Sequence, residues 1–241
     1  MQIVRLDSVE STNRYCEALD LNQVEDFTCY WALQQTAGIG QRGNHWESAP
    51  GQNLTFSLVL HPTFLPADRQ FRLTQALSLA LIDLLSTFNF QLSPLIKWPN
   101  DIYVGGKKIC GTLVSTRLIG TTISSAVCGI GLNINQTVFP DWVPNPTSLS
   151  LLTGQHYDLE SLLMQLLGCI QTRYNELRDG RDLEEEYLGH LLNRGLPAKY
   201  KYMDESITAT ITGVDSHGRL LLTDQDGRHL SCGMKEIVLL P

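Results

Sequence analysis

The sequence predicts an α+β chain in two parts, with strands and core helices interleaved over residues 1–192 and a small β-barrel over 193–241. Three observations carry this. Apolar residues recur at helical spacing in two long stretches: Phe71, Leu73, Leu77, Leu81, Leu84, Leu85 and Phe88, then Leu162, Leu163, Leu166, Leu167, Ile170 and Tyr174. Period-two alternation over residues 53–60 puts Leu54, Phe56, Leu58 and Leu60 on one strand face. Past Asn193-Arg194-Gly195-Leu196-Pro197 the character changes to short β-prone runs broken by Ser216-His217-Gly218 and Asp226-Gly227.

In chain order, residues 2–6 alternate and read as a strand. Glu10-Ser11-Thr12-Asn13 offers cap residues to a helix carrying Tyr15, Cys16 and Leu19. Residues 28–33 are aromatic and β-prone, a strand running into a glycine-rich loop; the strand at 53–60 ends on His61-Pro62. A core helix follows over 68–88, then a short strand at 95–98 stopped by Pro99. Gly105-Gly106 turns a hairpin into 107–116, and 122–135 reads as a long buried strand. Pro140, Pro144 and Pro146 keep the next segment irregular before helices at 159–177 and 183–192. Strands at 207–211, 220–222 and 237–240 make up the barrel.

Hydrophobic residues at 43%, against 18% charged, supply ample material for a buried core. A formal net charge of −7 argues against a chain built mainly to grip nucleic acid. The opening Met1-Gln2-Ile3-Val4-Arg5-Leu6-Asp7 lacks the apolar core of a signal peptide, and no stretch has the length of a membrane span, so no membrane partner is expected. Cys16, Cys29, Cys110, Cys128, Cys169 and Cys232 lie far apart without a C-x-x-C; they read as buried free thiols of a reducing, cytoplasmic protein.

The chemistry gathers in three constellations. The first is the loop from Gln34-Gln35-Thr36-Ala37-Gly38 through Gly40, Arg42 and Gly43 to Trp46, whose glycines suit a backbone nest for an anion. Gly38, Gly40 and Gly43 also spell a dinucleotide fingerprint, but that needs an immediate helix and a ribose-binding acid some twenty residues on. Pro50 and Gly51 interrupt any such helix, and Ser57-Leu58-Val59 holds no carboxylate, so the dinucleotide reading fails. The second is Lys97-Trp98-Pro99-Asn100-Asp101 with Lys108: a hairpin at Gly105-Gly106 would fold Lys108 back beside Asp101, and a lysine so held is a fixed cation for an anionic transition state. An ion pair of that kind is equally a surface feature worth little. The third is Gly129-Ile130-Gly131-Leu132-Asn133-Ile134-Asn135, expected to present Asn133 and Asn135 on one strand face, or as plain turn chemistry at a sheet edge.

Together, and in this order, these motifs resemble the biotin protein ligases (biotin–acetyl-CoA-carboxylase ligases), over nearly the whole chain. The match includes Ser11-Thr12-Asn13 and Lys107-Lys108-Ile109-Cys110-Gly111. The resemblance implies a class II synthetase-like biotin/lipoate ligase fold, a mixed β-sheet flanked by helices, with a catalytic domain at 1–192 and an SH3-like barrel at 193–241. It implies ATP-dependent activation of biotin to biotinyl-5′-AMP, with Mg²⁺, and transfer to a lysine of a biotin carboxyl carrier protein. Lys108 and Asp101 would be catalytic, Asp101 orienting Lys108 or helping Mg²⁺. Ser11, Thr12, Asn13, Gln35, Gly38 and Gly111 would hold biotin. Gly40, Arg42, Gly43, Trp46, Lys97, Asn100 and Asn133 would hold ATP or the adenylate, with Trp46 stacked on adenine. The loop would order over the adenylate and keep water off it.

Ser11-Thr12-Asn13 stands so near the start that the resemblance implies the short form, lacking an N-terminal DNA-binding domain, and hence no DNA partner. The chain departs from the family where Ile39, Gln41 and Asn44 occupy loop positions usually held by arginine, and where Ser115 replaces a common glutamate; the expectation is weaker nucleotide affinity, weaker retention of the adenylate, or both. A lipoate or octanoyl ligase and a non-catalytic biotin- or carrier-binding module are the competing readings. Exposed sheet edges could pair two copies into a homodimer.

Overall fold

The computed structural model describes residues 1–88 and 90–240, apart from the side chain of Arg42. Strands β1 (Gln2–Val9), β2 (Thr28–Gln35), β3 (Leu54–Leu60), β4 (Leu95–Lys97), β5 (Asp101–Val104), β6 (Lys107–Ile119) and β7 (Thr122–Leu132) form one sheet in the order β1-β2-β3-β7-β6-β5-β4. Only β1 and β2 run parallel, joined through α1 (Thr12–Glu17); the other ladders are antiparallel. The sheet is therefore mixed, as expected. Helices α2 (Phe71–Ser86) and α4 (Leu159–Arg178) pack together over one face, with α5 (Glu184–Gly189) against α2.

The core explains the pattern. Leu54, Phe56, Leu58 and Leu60 join the large cluster with Leu77, Leu81, Leu85, Leu163 and Leu167. Val59, Tyr30 and Val127 point the other way and pack on Cys16 of α1. All of β3 is buried, because both faces of this central strand are covered.

Boundaries shift where side chains take over from the ladder. The helix expected from 68 starts at Phe71, preceded by a 3₁₀ turn at Ala67–Arg69. The strand expected to reach 135 ends at Leu132: Ile134 N–H donates to the Asn53 side chain at 2.9 Å, and Asn135 N–H to Gln52 O at 2.8 Å. Helix α3 (Leu149–Thr153), in the segment read as irregular, is capped by Ser148 Oγ, which accepts from Leu151 N–H at 3.2 Å, and by Gly154 in the left-handed region at φ +73°.

The C-terminal strands are β8 (Pro197–Tyr202), β9 (Glu205–Val214), β10 (Leu220–Asp224), β11 (His229–Cys232) and β12 (Ile237–Leu239). They form a second, antiparallel sheet in the order β11-β10-β9-β8-β12. The barrel's expected strands are present, together with β8 and β11, which the sequence reading lacked. All six cysteines are free; five are buried and Cys169 is half-buried. No helix among the described residues is long and apolar enough to cross a membrane. The β4 edge of the large sheet is covered by 190–192, since Ile96 N–H donates to His190 O and Leu192 N–H to Ile96 O, each at 2.8 Å.

Candidate active site

The site begins with a bare patch on the sheet. Gly129 and Gly131 share the β7 face that α1 covers. A β-carbon at 129 would come within 2.0 Å of Asn13 Oδ1, and one at 131 within 2.3 Å of the Trp46 ring. Only glycine lets these two side chains lie directly on the backbone. Asn13 is anchored there by Ser57, whose Oγ donates to Asn13 Oδ1 at 2.6 Å and stands 2.8 Å from Thr12 Oγ1. Thr12 in turn donates from its backbone N–H and its hydroxyl to Gln35 Oε1, at 2.7 and 3.2 Å. This ties the first turn of α1 to the end of β2 and leaves the Gln35 NH₂ group for a ligand. Ser11 caps α1 by position but makes no side-chain cap bond, so its hydroxyl is uncommitted at the cavity wall.

Opposite stands the Lys108–Asp101 pair. The turn at Gly105-Gly106 returns the chain so that Asp101 faces Gly111 and Tyr103 faces Lys108, with a slip in register between them. Lys108 reaches diagonally across Gly111, and its Nζ lies 2.7 Å from Asp101 Oδ2, each side chain 27% exposed. The hairpin inference from the sequence therefore holds. A pair this exposed adds little stability; its use is to fix a cation in place. Burial, with Asp101 adding to it, pushes the nearby Tyr103 hydroxyl up to about 12. Asn100 is buried behind the pair, where Nδ2 donates to Thr112 O, so it braces the hairpin and does not line the cavity.

The glycine loop forms a small hairpin over the patch. Trp46 N–H donates to Gly38 O at 2.9 Å, Gly40 N–H donates to Asn44 O at 2.7 Å, and Ile39 bridges His45. A 3₁₀ turn at Gln41–Gly43 ends with Gly43 at φ +82°, and no dinucleotide helix follows. The side chain of Arg42 lies outside what the structure describes.

Ser11, Thr12, Asn13, Gln35, Gly40, Trp46, Asp101, Lys108 and Gly111 thus line one polar cavity, with Gly38 at its rim. A second cavity of about 410 Å³ lies beyond Trp46, lined by His45, Trp46, Lys108, Asn133, Trp142 and Pro144 among others. Lys108 belongs to both, and its backbone is stitched to the second cavity's loop: Lys108 N–H donates to Asn145 O at 2.7 Å, and Thr147 N–H to Lys108 O at 2.9 Å. Asn133 Nδ2 donates to Thr147 O at 2.9 Å, while its Oδ1 is buried with no partner among the described residues. Asn135 does not share this site, because its amide is spent on the backbone of Tyr157. Lys97 lines neither cavity. Its Nζ lies 5.1 Å from the Tyr103 ring centroid, and the residue lines a third cleft, between the glycine loop's Gln41 and Asn44 and the C-terminal sheet.

Sequence reasoning gave no role to Ser57, His45 or Trp142. Ser57 was hidden as the off-beat residue of an alternating strand. The His45 ring lies 5.6 Å from that of Trp142 across the second cavity, and its Nε2 is 3.5 Å from Glu47. Their one signal was proximity to Trp46 and to the proline-rich loop.

A profile of the Biotin/lipoate A/B protein ligase family matches residues 6–133, just over half of the chain. The chain belongs to that family. Every expected site residue falls inside the stretch matched to the biotin/lipoate ligases. The bifunctional ligase/repressor BirA of Bacillus spizizenii is 29% identical over 231 residues, covering 93% of this chain and 70% of its own length. The biotin–[acetyl-CoA-carboxylase] ligase of Paracoccus denitrificans is 29% identical over 211 residues, covering 83% of this chain and 86% of its own. Among solved structures, the biotin protein ligase from Aquifex aeolicus in complex with biotin and ATP superposes with a TM-score of 0.81 at 25% identity, over 99% of this chain and 98% of that one.

Proposed function

We propose that this chain activates biotin with ATP to biotinyl-5′-AMP and transfers the biotinyl group to a lysine of a biotin carboxyl carrier domain. One observation carries the reading: two adjoining cavities meet at Asn44, His45, Trp46 and Lys108, one of them the more polar. The polar one offers Ser11, Thr12, Asn13 and Gln35 to a ureido ring. The larger one offers aromatic walls for adenine, with the buried Asn133 amide behind them, its Oδ1 without a partner among the described residues. A biotin carboxylate and an ATP α-phosphate would then meet beside Lys108.

In the first step a carboxylate oxygen attacks the α-phosphorus and pyrophosphate leaves. In the second the carrier amine attacks the anhydride carbonyl, AMP leaves and the amine gives up a proton. Both steps concentrate negative charge between carboxyl and phosphate, where Lys108, held by Asp101, would stabilise it. Asp101 is the one carboxylate lining the polar cavity, and no cluster of His, Cys, Asp and Glu among the described residues could hold a metal. Magnesium is therefore read as arriving on the nucleotide phosphates, as part of the substrate. Six unpaired cysteines support a reducing, cytoplasmic setting. We read residues from 193 onward as a separate small module, and β1 as the edge through which two copies would pair.

The test is incubation with biotin, ATP, Mg²⁺ and a carrier domain, reading carrier mass and biotin-dependent ATP–pyrophosphate exchange. The expected result is one added biotinyl group, lost in Lys108→Ala by roughly a hundredfold or more in rate. Exchange no faster than a no-enzyme blank overturns the reading. Preferential stabilisation by lipoate over biotin moves the substrate to the other branch of the family.

A further inference from the structure

Three consecutive residues ahead of Asp101 are each gripped by a different part of the molecule. Trp98 Nε1 donates to the carbonyl of Gly218, in the β9–β10 turn of the C-terminal sheet, at 3.1 Å. The Tyr187 hydroxyl on α5 donates to Pro99 O at 2.8 Å. Asn100 Nδ2 donates to Thr112 O on β6, and Thr112 Oγ1 reaches back to Asn100 O at 3.5 Å. The next residue is Asp101, whose carboxylate holds Lys108 at 2.7 Å.

The grips are themselves braced. The Tyr187 ring is fully buried and meets Phe71 edge-on, centroids 5.7 Å apart. Phe71 also seats the turn, since a β-carbon on Gly218 would lie 2.4 Å from its ring. Gly218 adopts φ +83°, so the close approach and the left-handed backbone both call for glycine there. Burial raises the Tyr187 hydroxyl well above the ordinary range, which keeps it a donor.

We propose that Trp98, Tyr187 and Gly218 are positioning residues for the reaction: the C-terminal sheet and α5 fix the 98–100 segment and thereby set the Asp101–Lys108 pair. The proposal rests on the biotin-activating reading for its kinetic form, but its mechanical form is independent of it. Neither Trp98 nor Tyr187 lines the polar cavity, so their effect should fall on turnover and not on biotin affinity.

The experiment compares Trp98→Phe, Tyr187→Phe and the double variant with Arg72→Ala. That control removes a contact between α2 and the chain before α5, from Arg72 to Arg181 O and Asp182, without touching 98–101. Each is measured by ATP–pyrophosphate exchange, thermal midpoint and hydrogen exchange of residues 98–112. The double variant is expected to lose roughly tenfold or more in exchange kcat, with biotin KM within about twofold. Local amide exchange should speed up at 98–112 while the midpoint stays near that of Arg72→Ala. Unchanged kcat with unchanged amide exchange overturns the proposal, and so does a loss that merely tracks the midpoint. An unmodified chain without biotin-dependent exchange sinks the enzymatic reading instead; amide protection at 98–112 then decides the positioning claim alone, and protection unaltered in the double variant refutes it.

Discussion

Gly131 and Ser57 show how single positions set this site. Gly131 lets the Trp46 indole lie on the sheet, where its ring also stands 5.6 Å from Lys108 Nζ. Gly131→Ala is expected to push the indole out and raise the ATP KM by about tenfold, read from exchange kinetics. A KM within error of the parent would show that Trp46 does not line the nucleotide site. Ser57→Ala leaves Asn13 Oδ1 without its buried donor, an expected loss of about 1–3 kcal/mol in a denaturant titration. The sequence made Lys108, Asp101, Gln35 and the α1 residues legible, because turn chemistry and motif order point to them. It hid Ser57, whose role comes from neighbours forty-five residues away in the chain, Thr12 among them.

At the scale of elements, helical periodicity was the strongest signal, and α2 and α4 sit where it put them. Short strands were harder. Of β8 only Tyr200 is fully buried, and β11 buries Cys232 alone, so neither has a pattern long enough to stand out. The helices are joined by Arg173 on α4, whose guanidinium bonds Asp83 of α2 and Glu186 of α5, while Glu176 adds a third carboxylate. Removing it by Arg173→Ala leaves Asp83 without its cation, while Glu176 and Glu186 keep Arg181. The expected cost is about 2–3 kcal/mol by chemical denaturation; a change under half of that would mark the cluster as surface decoration.

The buried thiols add a pH prediction. Burial pushes Cys16 and Cys128 up to about 12. A group whose folded value is raised stabilises fully below its unfolded value, ordinarily 9.0, and loses that contribution as pH climbs towards about 12. The thermal midpoint should therefore fall as pH rises above roughly 9. Cys169, the half-buried one, should be the first thiol alkylated in the native protein at neutral pH, as mass mapping would show.

For the molecule as a whole, the alternation of strands with core helices gave the mixed sheet, and the shift near 193 gave the second sheet. What no local pattern could give was how the two meet, because part of that contact runs through one turn glycine, one indole and Phe71. Gly218→Ala should lower the thermal midpoint by several degrees, from left-handed strain and a clash together costing about 1–3 kcal/mol. An unchanged midpoint would mean that the turn shifts freely. The covered β4 edge has a further consequence. With 190–192 closing that side, the seven-stranded sheet offers, among the described residues, only β1 for edge pairing. Two copies joined there by a twofold axis use up both free edges at once, so assembly along this sheet ends at a closed pair and cannot propagate into a fibre.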